Sequence, residues 1–436
     1  MSDIIIIGAG PGGYETAARA AATGKKVTLI ERGHLGGTCL NRGCIPTKAL
    51  CRSAEVADTI ASAAEYGIGA QAPAVDYAAV AARKDAVVSS LREGVAQVLR
   101  DVEVVNGDAR FISPTEVAVG DAVYSAPVII VATGSKPARI NIPGAEYALT
   151  SDEFLELTSL PESVTVIGGG VIGLEFASVL KSFGVDVTVI EGTPEILPPF
   201  DAEIAKRLRM ALKRRKINVI TDAVVKEITP DGGVVYTAKG KEKTVQSAMV
   251  LMSVGRRPVI PDGLVEAGAP LTDRGFLKVD SDMVLMRHGD VTVYAIGDVN
   301  GLCMLAHAAT AQGEIALGLR RTLGPVPSAV FTRPECAMVG LTERECEQQG
   351  LNVKIGRSTF QANGKARAMG EPDGMVKTIV SAEDGRLLGC HIVGPHASDL
   401  IAEATLAITA RLGADSIREA IHTHPTLSEV LPAAIP

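Results

Sequence analysis

At 436 residues the chain is longer than one hydrophobic core usually organises, so roughly two to four domains are expected. An apolar fraction of 47% and a charged fraction of 21% suit a globular protein, and 43 basic against 50 acidic residues (net charge -7) give no basic excess for nucleic acid. No apolar stretch approaches the ~20 residues of a membrane helix, and seven cysteines are too sparse for a disulfide framework, which points to a cytoplasmic protein whose only disulfide would be a working one.

The first predicted element is the apolar run Ile4 to Ile7, a buried strand too short for a signal peptide. It runs straight into Gly8, Gly10 and Gly13, then an amphipathic helix closed by Gly24 and a second strand closed by Glu31. The pattern returns at a constant offset of 160 from Val164 to Glu191, where Gly168, Gly170 and Gly173 repeat the glycines, Glu175 repeats Glu15 and Glu191 repeats Glu31. In such a G-x-G-x-x-G turn the first glycine makes the tight bend and the second admits a pyrophosphate close to the backbone. The third lets helix and strand pack closely, and the helix N-terminus faces the negative charge. The terminal Glu is placed to accept hydrogen bonds from ribose hydroxyls. A lone turn of this kind is weak evidence. Two copies with the same 18-residue spacing from third glycine to Glu imply two dinucleotides, one per copy.

Between Glu31 and Ala132 the first unit holds something extra. Its Thr133-Gly134 segment matches Val254-Gly255 at an offset of 121, so the first unit is longer by 39 residues. The added stretch contains Gly36-Gly37-Thr38-Cys39-Leu40-Asn41-Arg42-Gly43-Cys44-Ile45-Pro46-Thr47-Lys48, with two thiols five positions apart. In a regular helix that separation is ~7.5 Å along the axis, beyond disulfide reach, so a bridge needs a local distortion, for which Gly43 and Pro46 are suited. Read alone, the pair also fits two ordinary core cysteines; beside two dinucleotide sites it reads as a redox pair. No further ligands cluster with it, so no metal is expected.

Further along, the basic run Lys213 to Lys216 falls in a helical pattern and reads as a solvated face. Val291 to Ala295 reads as a strand leading into Gly297-Asp298, followed by Met304-Leu305-Ala306-His307 and a helical run to Leu323. Gly324-Pro325-Val326-Pro327 reads as a linker. Beyond it, strands near Met338, Val353, Val376 and Leu388 precede a helix from Ala397 to Leu412, a separate α+β domain. Near the C-terminus Pro425 suits the first position of a helix, with His424 before it and Glu429 about a turn further in. A carboxylate on one ring nitrogen fixes the tautomer and raises the basicity of the imidazole, and thiol–disulfide exchange needs such a base. The rival readings of this segment are a metal site and a helix-capping histidine.

The paired glycine turns, the CLNRGCIPTK stretch, the AIGDV stretch and the HTHPTLSE ending together resemble the pyridine nucleotide–disulfide oxidoreductases over essentially the whole chain, closest to the dihydrolipoyl dehydrogenase branch. The resemblance implies an α/β fold of two Rossmann-like domains, one for FAD and one for NAD, plus a C-terminal α+β dimerisation domain. Its boundaries would be 1–148 for FAD with the redox insertion, 149–262 for NAD, 263–323 completing the FAD domain, and 324–436 for the interface. By motif, Cys39 is expected to meet the dithiol substrate and Cys44 to face the flavin. Lys48 is expected near flavin N5, ion-paired with Glu175; read alone, either is a charge on a helix face. Glu31 would hold the adenosine ribose and Asp298 the ribityl chain, with Thr38, Thr133, Gly134, Gly255 and Met304 to His307 lining the cofactors. His424 and Glu429 match the acid–base pair. Cys303 falls where the family's chain passes the flavin, and no role follows for it.

The implied reaction is oxidation of protein-bound dihydrolipoamide to lipoamide, with electrons passing through the disulfide and FAD to NAD. NAD is expected over NADP because Glu191 would repel a 2′-phosphate and Gly192-Thr193-Pro194 supply no arginine. The implied assembly is a homodimer with no nucleic-acid or membrane partner. Its substrate would be a lipoylated acyltransferase or a glycine-cleavage carrier protein. The alternatives are another NAD(P)H-dependent disulfide or metal reductase, and a non-catalytic FAD/NAD-binding redox sensor. The intact cysteine and His–Glu pairs argue against the sensor.

Overall fold

The computed structural model describes residues 2–71 and 74–436. Three main sheets organise it. The first has six strands in the order Val284–His288, Val291–Ala295, Val128–Val131, Ile4–Ile7, Val27–Glu31 and Glu103–Asn106. The second has five, Asn218–Ile220, Asp186–Ile190, Ser163–Ile167, Met249–Met252 and Leu149–Thr150. Four strands of each correspond: Ile4–Ile7 runs parallel between Val27–Glu31 and Val128–Val131, as Ser163–Ile167 does between Asp186–Ile190 and Met249–Met252. Strands covered on both faces must be apolar throughout, and Ile4 to Ile7 are all buried. The internal repeat in the sequence is thus a repeat of topology.

The units differ where the spacing differs. Among the described residues, after Val27–Glu31 the chain forms three α-helices, Gly37–Arg42, Cys44–Ala61 and Tyr77–Val98, and a 3-10 turn before the next strand of the sheet; after Asp186–Ile190 it forms one α-helix, Ala202–Arg214. The Cys44–Ala61 helix lies over the second unit: Leu50 and Ala54 share a core with Leu174, Phe176 and Ala177 of the Val171–Ser182 helix. The strands Val284–His288 and Val291–Ala295 return to the first sheet, with Val291–Ala295 parallel to Val128–Val131.

The third sheet is antiparallel, Ser328–Val330, Glu335–Gly340, Leu387–Gly394, Met375–Ser381 and Val353–Thr359, covered by the Ala397–Thr409 helix. It joins the second unit through a buried charge. Lys377, 2% exposed, meets both carboxylate oxygens of Asp201 at 3.0 and 2.9 Å and lies 2.5 Å from Glu343. Asp201 is 3% exposed and also caps the Ala202–Arg214 helix. Removing one partner of such a pair strands the other charge. Lys377→Met is therefore expected to cost about 3 kcal/mol of stability, read by urea denaturation.

Three local expectations are corrected. The helix after His307 ends at Ala316 rather than running to Leu323, because Gly318 turns left-handed (φ 72°) and stops it. Of the basic run, Arg215 is not solvated: it is half-buried, 2.7 Å from Asp58 and 3.0 Å from the hydroxyl of Ser178. Pro425 does not open a helix. The first residue of the following 3-10 turn is Leu427, capped by Thr426, and Pro425 lies outside it, joined to His424 by a cis peptide.

Candidate active site

Both glycine turns have the shape their chemistry requires. A Cβ on Gly8 would come within 2.4 Å of the Ala132 carbonyl oxygen, and one on Gly13 within 1.8 Å of the Gly8 oxygen. In the second copy, Gly168 would meet the Ser253 oxygen at 2.4 Å and Gly173 the Gly168 oxygen at 2.2 Å. These four positions are closed by backbone. The middle glycines are open: the nearest atom to a Cβ on Gly10 is 3.9 Å away, and on Gly170 nothing lies within 4 Å. Each opens a 12-residue helix, Pro11–Ala22 or Val171–Ser182, whose first N–H groups receive no side-chain cap. An uncapped helix N-terminus under an open glycine fits a pyrophosphate at each turn.

The terminal glutamates are held alike. Glu31 accepts from the N–H groups of Ala9 at 2.6 Å and Gly33 at 2.8 Å; Glu191 accepts from Gly169 at 2.6 Å and Thr193 at 2.7 Å. Each carboxylate is thereby fixed beside its own glycine turn. Thr133 bonds the Val259 carbonyl, and Gly134 and Gly255 are left-handed with open space where a Cβ would stand. Asp298 lies in the 3-10 turn Gly297–Asn300, which Gln312 braces by accepting from the Gly297 N–H and the Asn300 amide. Its carboxylate accepts from the Ser135 hydroxyl at 2.5 Å and lies 3.9 Å from Arg256. Next to it, Met304 is exposed, Leu305 and Ala306 open the helix, and His307 bonds the Pro327 carbonyl at 2.8 Å. Cys303 is partly buried, and burial pushes its thiol up.

Cys39 lies midway along the Gly37–Arg42 helix and Cys44 opens the next one, the two helices breaking at Gly43 (φ -148°, ψ -109°). The break at Gly43 brings the two thiols close enough that each is the leading influence on the other's ionisation. Both are in the thiol state here. Gly37 docks the shorter helix on the first glycine turn, where a Cβ would come within 2.5 Å of the Gly10 Cα. Thr38, half-buried, is on the same helix. The Cys39 hydrogen bond outweighs burial and, with the Lys48 charge, holds the Cys44 thiol at about 7. The same hydrogen bond, together with burial, pushes Cys39 up. Of the two, Cys44 is therefore the thiol that ionises first.

One helical turn on from Cys44, Lys48 Nζ lies 3.0 and 2.9 Å from the two carboxylate oxygens of Glu175. Burial opposes the lysine charge, but the charge and hydrogen bonds of Glu175 outweigh it and Lys48 sits above its usual value. The pair joins residues 127 apart in sequence, and Glu175 is 3% exposed. Its counterpart Glu15 is instead half-buried on its own helix, 4.0 Å from Arg19. Shared position in the repeat did not mean shared role.

His424 and Glu429 also meet: Nδ1 is 2.9 Å from a carboxylate oxygen, whose other oxygen takes the Thr426 N–H at 2.8 Å. The Thr426 N–H, then His424, hold the Glu429 carboxyl below its usual range. With Nδ1–H donated, Nε2 is left as the acceptor. The imidazole is 80% exposed and has no hydrogen bond to any residue of the cysteine helices. Two nearby features carried no sequence signal, because their partners are distant in the chain. His422 bonds Glu403 at 2.9 Å, anchoring the loop that carries His424, and Phe331 lies against Lys48.

A family model described as pyridine nucleotide-disulphide oxidoreductase matches residues 2–313, and that family's dimerisation domain matches residues 326–435. Among curated relatives, a dihydrolipoyl dehydrogenase of Geobacillus stearothermophilus is 40% identical, with 98% of this chain and 94% of that protein covered. One of Chlamydia muridarum is 42% identical over 98% of this chain and 95% of its own length. Among solved structures, a Cu(II) complex of the HOCl-induced flavoprotein disulfide reductase RclA from Escherichia coli aligns with a TM-score of 0.87. It is 27% identical, with 100% of this chain and 98% of that chain covered.

Proposed function

This chain belongs to the pyridine nucleotide-disulphide oxidoreductase family and uses FAD and NAD, and we propose that it oxidises dihydrolipoamide carried on a partner protein, with NAD as the final acceptor. The observation that carries the reading is the thiol pair across Gly43, with an ion pair one helical turn behind it and a His–carboxylate pair in the same chain. Residues 1–148 with 263–323 would form the FAD domain, 149–262 the NAD domain and 324–436 the dimer interface. The strands near residues 284–295 support the second segment by joining the first sheet. The reading includes a homodimer in the cytoplasm, and as substrate a lipoylated acyltransferase or a glycine-cleavage carrier protein.

The chemistry of the residues follows from their arrangement. His424 Nε2 takes a proton from one substrate thiol, with Glu429 stabilising the imidazolium. That thiolate attacks Cys39 Sγ of the Cys39–Cys44 disulfide, and Cys44 leaves as a thiolate, favoured by Lys48. The second substrate thiol, releasing its proton to solvent, then attacks the substrate sulfur of the mixed disulfide, closing the lipoyl ring and expelling Cys39 as a thiolate, which takes the proton that His424 held. FAD, when bound, supplies the route by which the two electrons held as the dithiol pass to NAD. Per turnover dihydrolipoamide and NAD+ become lipoamide, NADH and a proton. Glu31, Glu191, Asp298 and the glycine turns bind and orient the cofactors.

The test is turnover of free dihydrolipoamide with NAD by the flavin-loaded protein. NAD is expected to be favoured over NADP by at least about tenfold in kcat/KM, ~1.4 kcal/mol, because the Glu191 carboxylate would face a 2′-phosphate. Glu191→Ala should weaken that preference mainly through the KM for NAD. No turnover of dihydrolipoamide, or equal use of NADP, would count against the respective part of the reading.

A further inference from the structure

Immediately after the linker, the chain of the interface domain reaches under the redox centre. Residues 331–333 touch both helices that build it. The N–H of Phe331 donates to Glu175 Oε1 at 3.0 Å, its carbonyl takes the Cys51 thiol at 3.5 Å, and its ring faces Lys48 Nζ at 4.4 Å from the centroid. Two residues on, the N–H of Arg333 donates to the Ser178 hydroxyl at 3.0 Å, and the Arg333 guanidinium lies 3.4 Å from Asp58 and 2.8 Å from Glu371. A single segment therefore spans the Cys44–Ala61 and Val171–Ser182 helices.

We propose that Phe331 is a positioning residue of the redox centre: its aromatic face and its backbone N–H together hold the Lys48 ammonium against Glu175, and so fix the cation that faces Cys44. An ammonium over a ring face is attracted by the ring quadrupole, and the attraction grows as water is excluded. Lys48 Nζ is held from two sides, by the Glu175 oxygens at 3.0 and 2.9 Å and by the ring at 4.4 Å from its centroid, so without the ring only the carboxylate fixes its place. The N–H of Phe331 takes one of the two oxygens that Lys48 uses, which orients the carboxylate toward the lysine. Phe331 thus touches both members of the ion pair and Cys51 at once.

The consequence is read at Cys44. The groups acting on it are the Cys39 thiol from the Gly37–Arg42 helix, Lys48 on its own helix and Glu175 opposite. Cys51 sits beyond Lys48, and Glu335 acts on Cys51 in turn. Of these, the Cys39 thiol and the Lys48 ammonium favour the thiolate, and only Lys48 is held by Phe331. Loss of the ring should therefore raise the pH at which Cys44 ionises.

The proposal rests on Cys44 and Lys48 being the redox centre. Its measurement needs no substrate, so its failure is distinct from a failure to oxidise dihydrolipoamide. The flavin-loaded enzyme is kept in the thiol state with a phosphine and titrated by ultraviolet thiolate absorbance. Each protein carries Cys39→Ser, and the spectrum of the matching Cys39→Ser/Cys44→Ser protein is subtracted at each pH, so the other thiols cancel. Phe331→Leu is expected to raise the Cys44 midpoint by roughly half a pH unit. Phe331→Met, a second variant without a ring, should do the same, and Phe331→Tyr, which keeps the aromatic face, should restore the original midpoint. A merely structural role would not separate Tyr from Leu and Met in this way. An unmoved midpoint in both ring-free variants, or an equal rise in Phe331→Tyr, overturns the proposal.

Discussion

Cys44→Ser is expected to abolish dihydrolipoamide oxidation, by about three orders of magnitude or more in kcat, equivalent to ~4 kcal/mol of barrier. The thiol it removes is the one the site is built to ionise: the Cys39 hydrogen bond, then the Lys48 charge, hold Cys44 at about 7 against the cost of burial. A serine hydroxyl cannot leave as an anion under these conditions, nor can it form the disulfide. Cys39→Ser should be equally inactive yet spectroscopically opposite. Its hydroxyl still donates to Cys44, so a thiolate should lie against the bound flavin without any reduction, giving a long-wavelength absorbance band. Because a lowered thiol value favours the anion at higher pH, that band should persist above neutrality and fade as pH falls through about 7. In Cys44→Ser no such band should form at any pH. Two variants with the same spectrum would show that the thiols have been assigned wrongly.

His424→Gln should lower kcat by roughly two to four orders of magnitude, the usual worth of a positioned base, and the loss should be repairable only by a second subunit. His424 is exposed and, among the described residues, its ring bonds only Glu429. The domain that carries it matches the family's dimerisation domain. Two-fold symmetry makes any exchange of groups between subunits reciprocal, giving two composite sites. Co-refolding the inactive Cys44→Ser and His424→Gln proteins distinguishes the arrangements. If the base serves the partner's disulfide, each mixed dimer holds one intact site and one doubly altered site, and random pairing should recover roughly a quarter of native activity. If the base serves its own chain, every site in a mixed dimer carries one lesion and activity stays at the level of the single variants. Mass spectrometry of the refolded sample confirms that mixed dimers are present. Activity at that floor would remove the shared site.

The parts of this protein written in its sequence are those decided by near neighbours. The G-x-G-x-x-G turns could be read because a left-handed φ of 101° at Gly8 and 108° at Gly168, and a third glycine pressed on the first, are demands made within six residues. The 160-residue repeat therefore announced two matching sheets, and the 39-residue excess announced that the redox helices were an insertion. The His424–Glu429 pair was legible for the same reason, being five residues apart, although the helix expected at Pro425 begins instead at Leu427. Tertiary structure decided the rest. Glu15 and Glu175 are equivalent in the repeat, yet Glu175 faces the redox helix, because the inserted Cys44–Ala61 helix packs on the second unit. Arg215 reads as part of a solvated run until Asp58, 157 residues away, takes its charge. Phe331 and Lys377 are ordinary strand-end and strand residues in the sequence. Only the docking of the third sheet gives one an ammonium to face and the other a buried carboxylate. The physical reason is range: backbone geometry and helix capping act over a few residues, whereas a charge in a buried place finds its partner only when the packing of whole elements has brought two distant segments together.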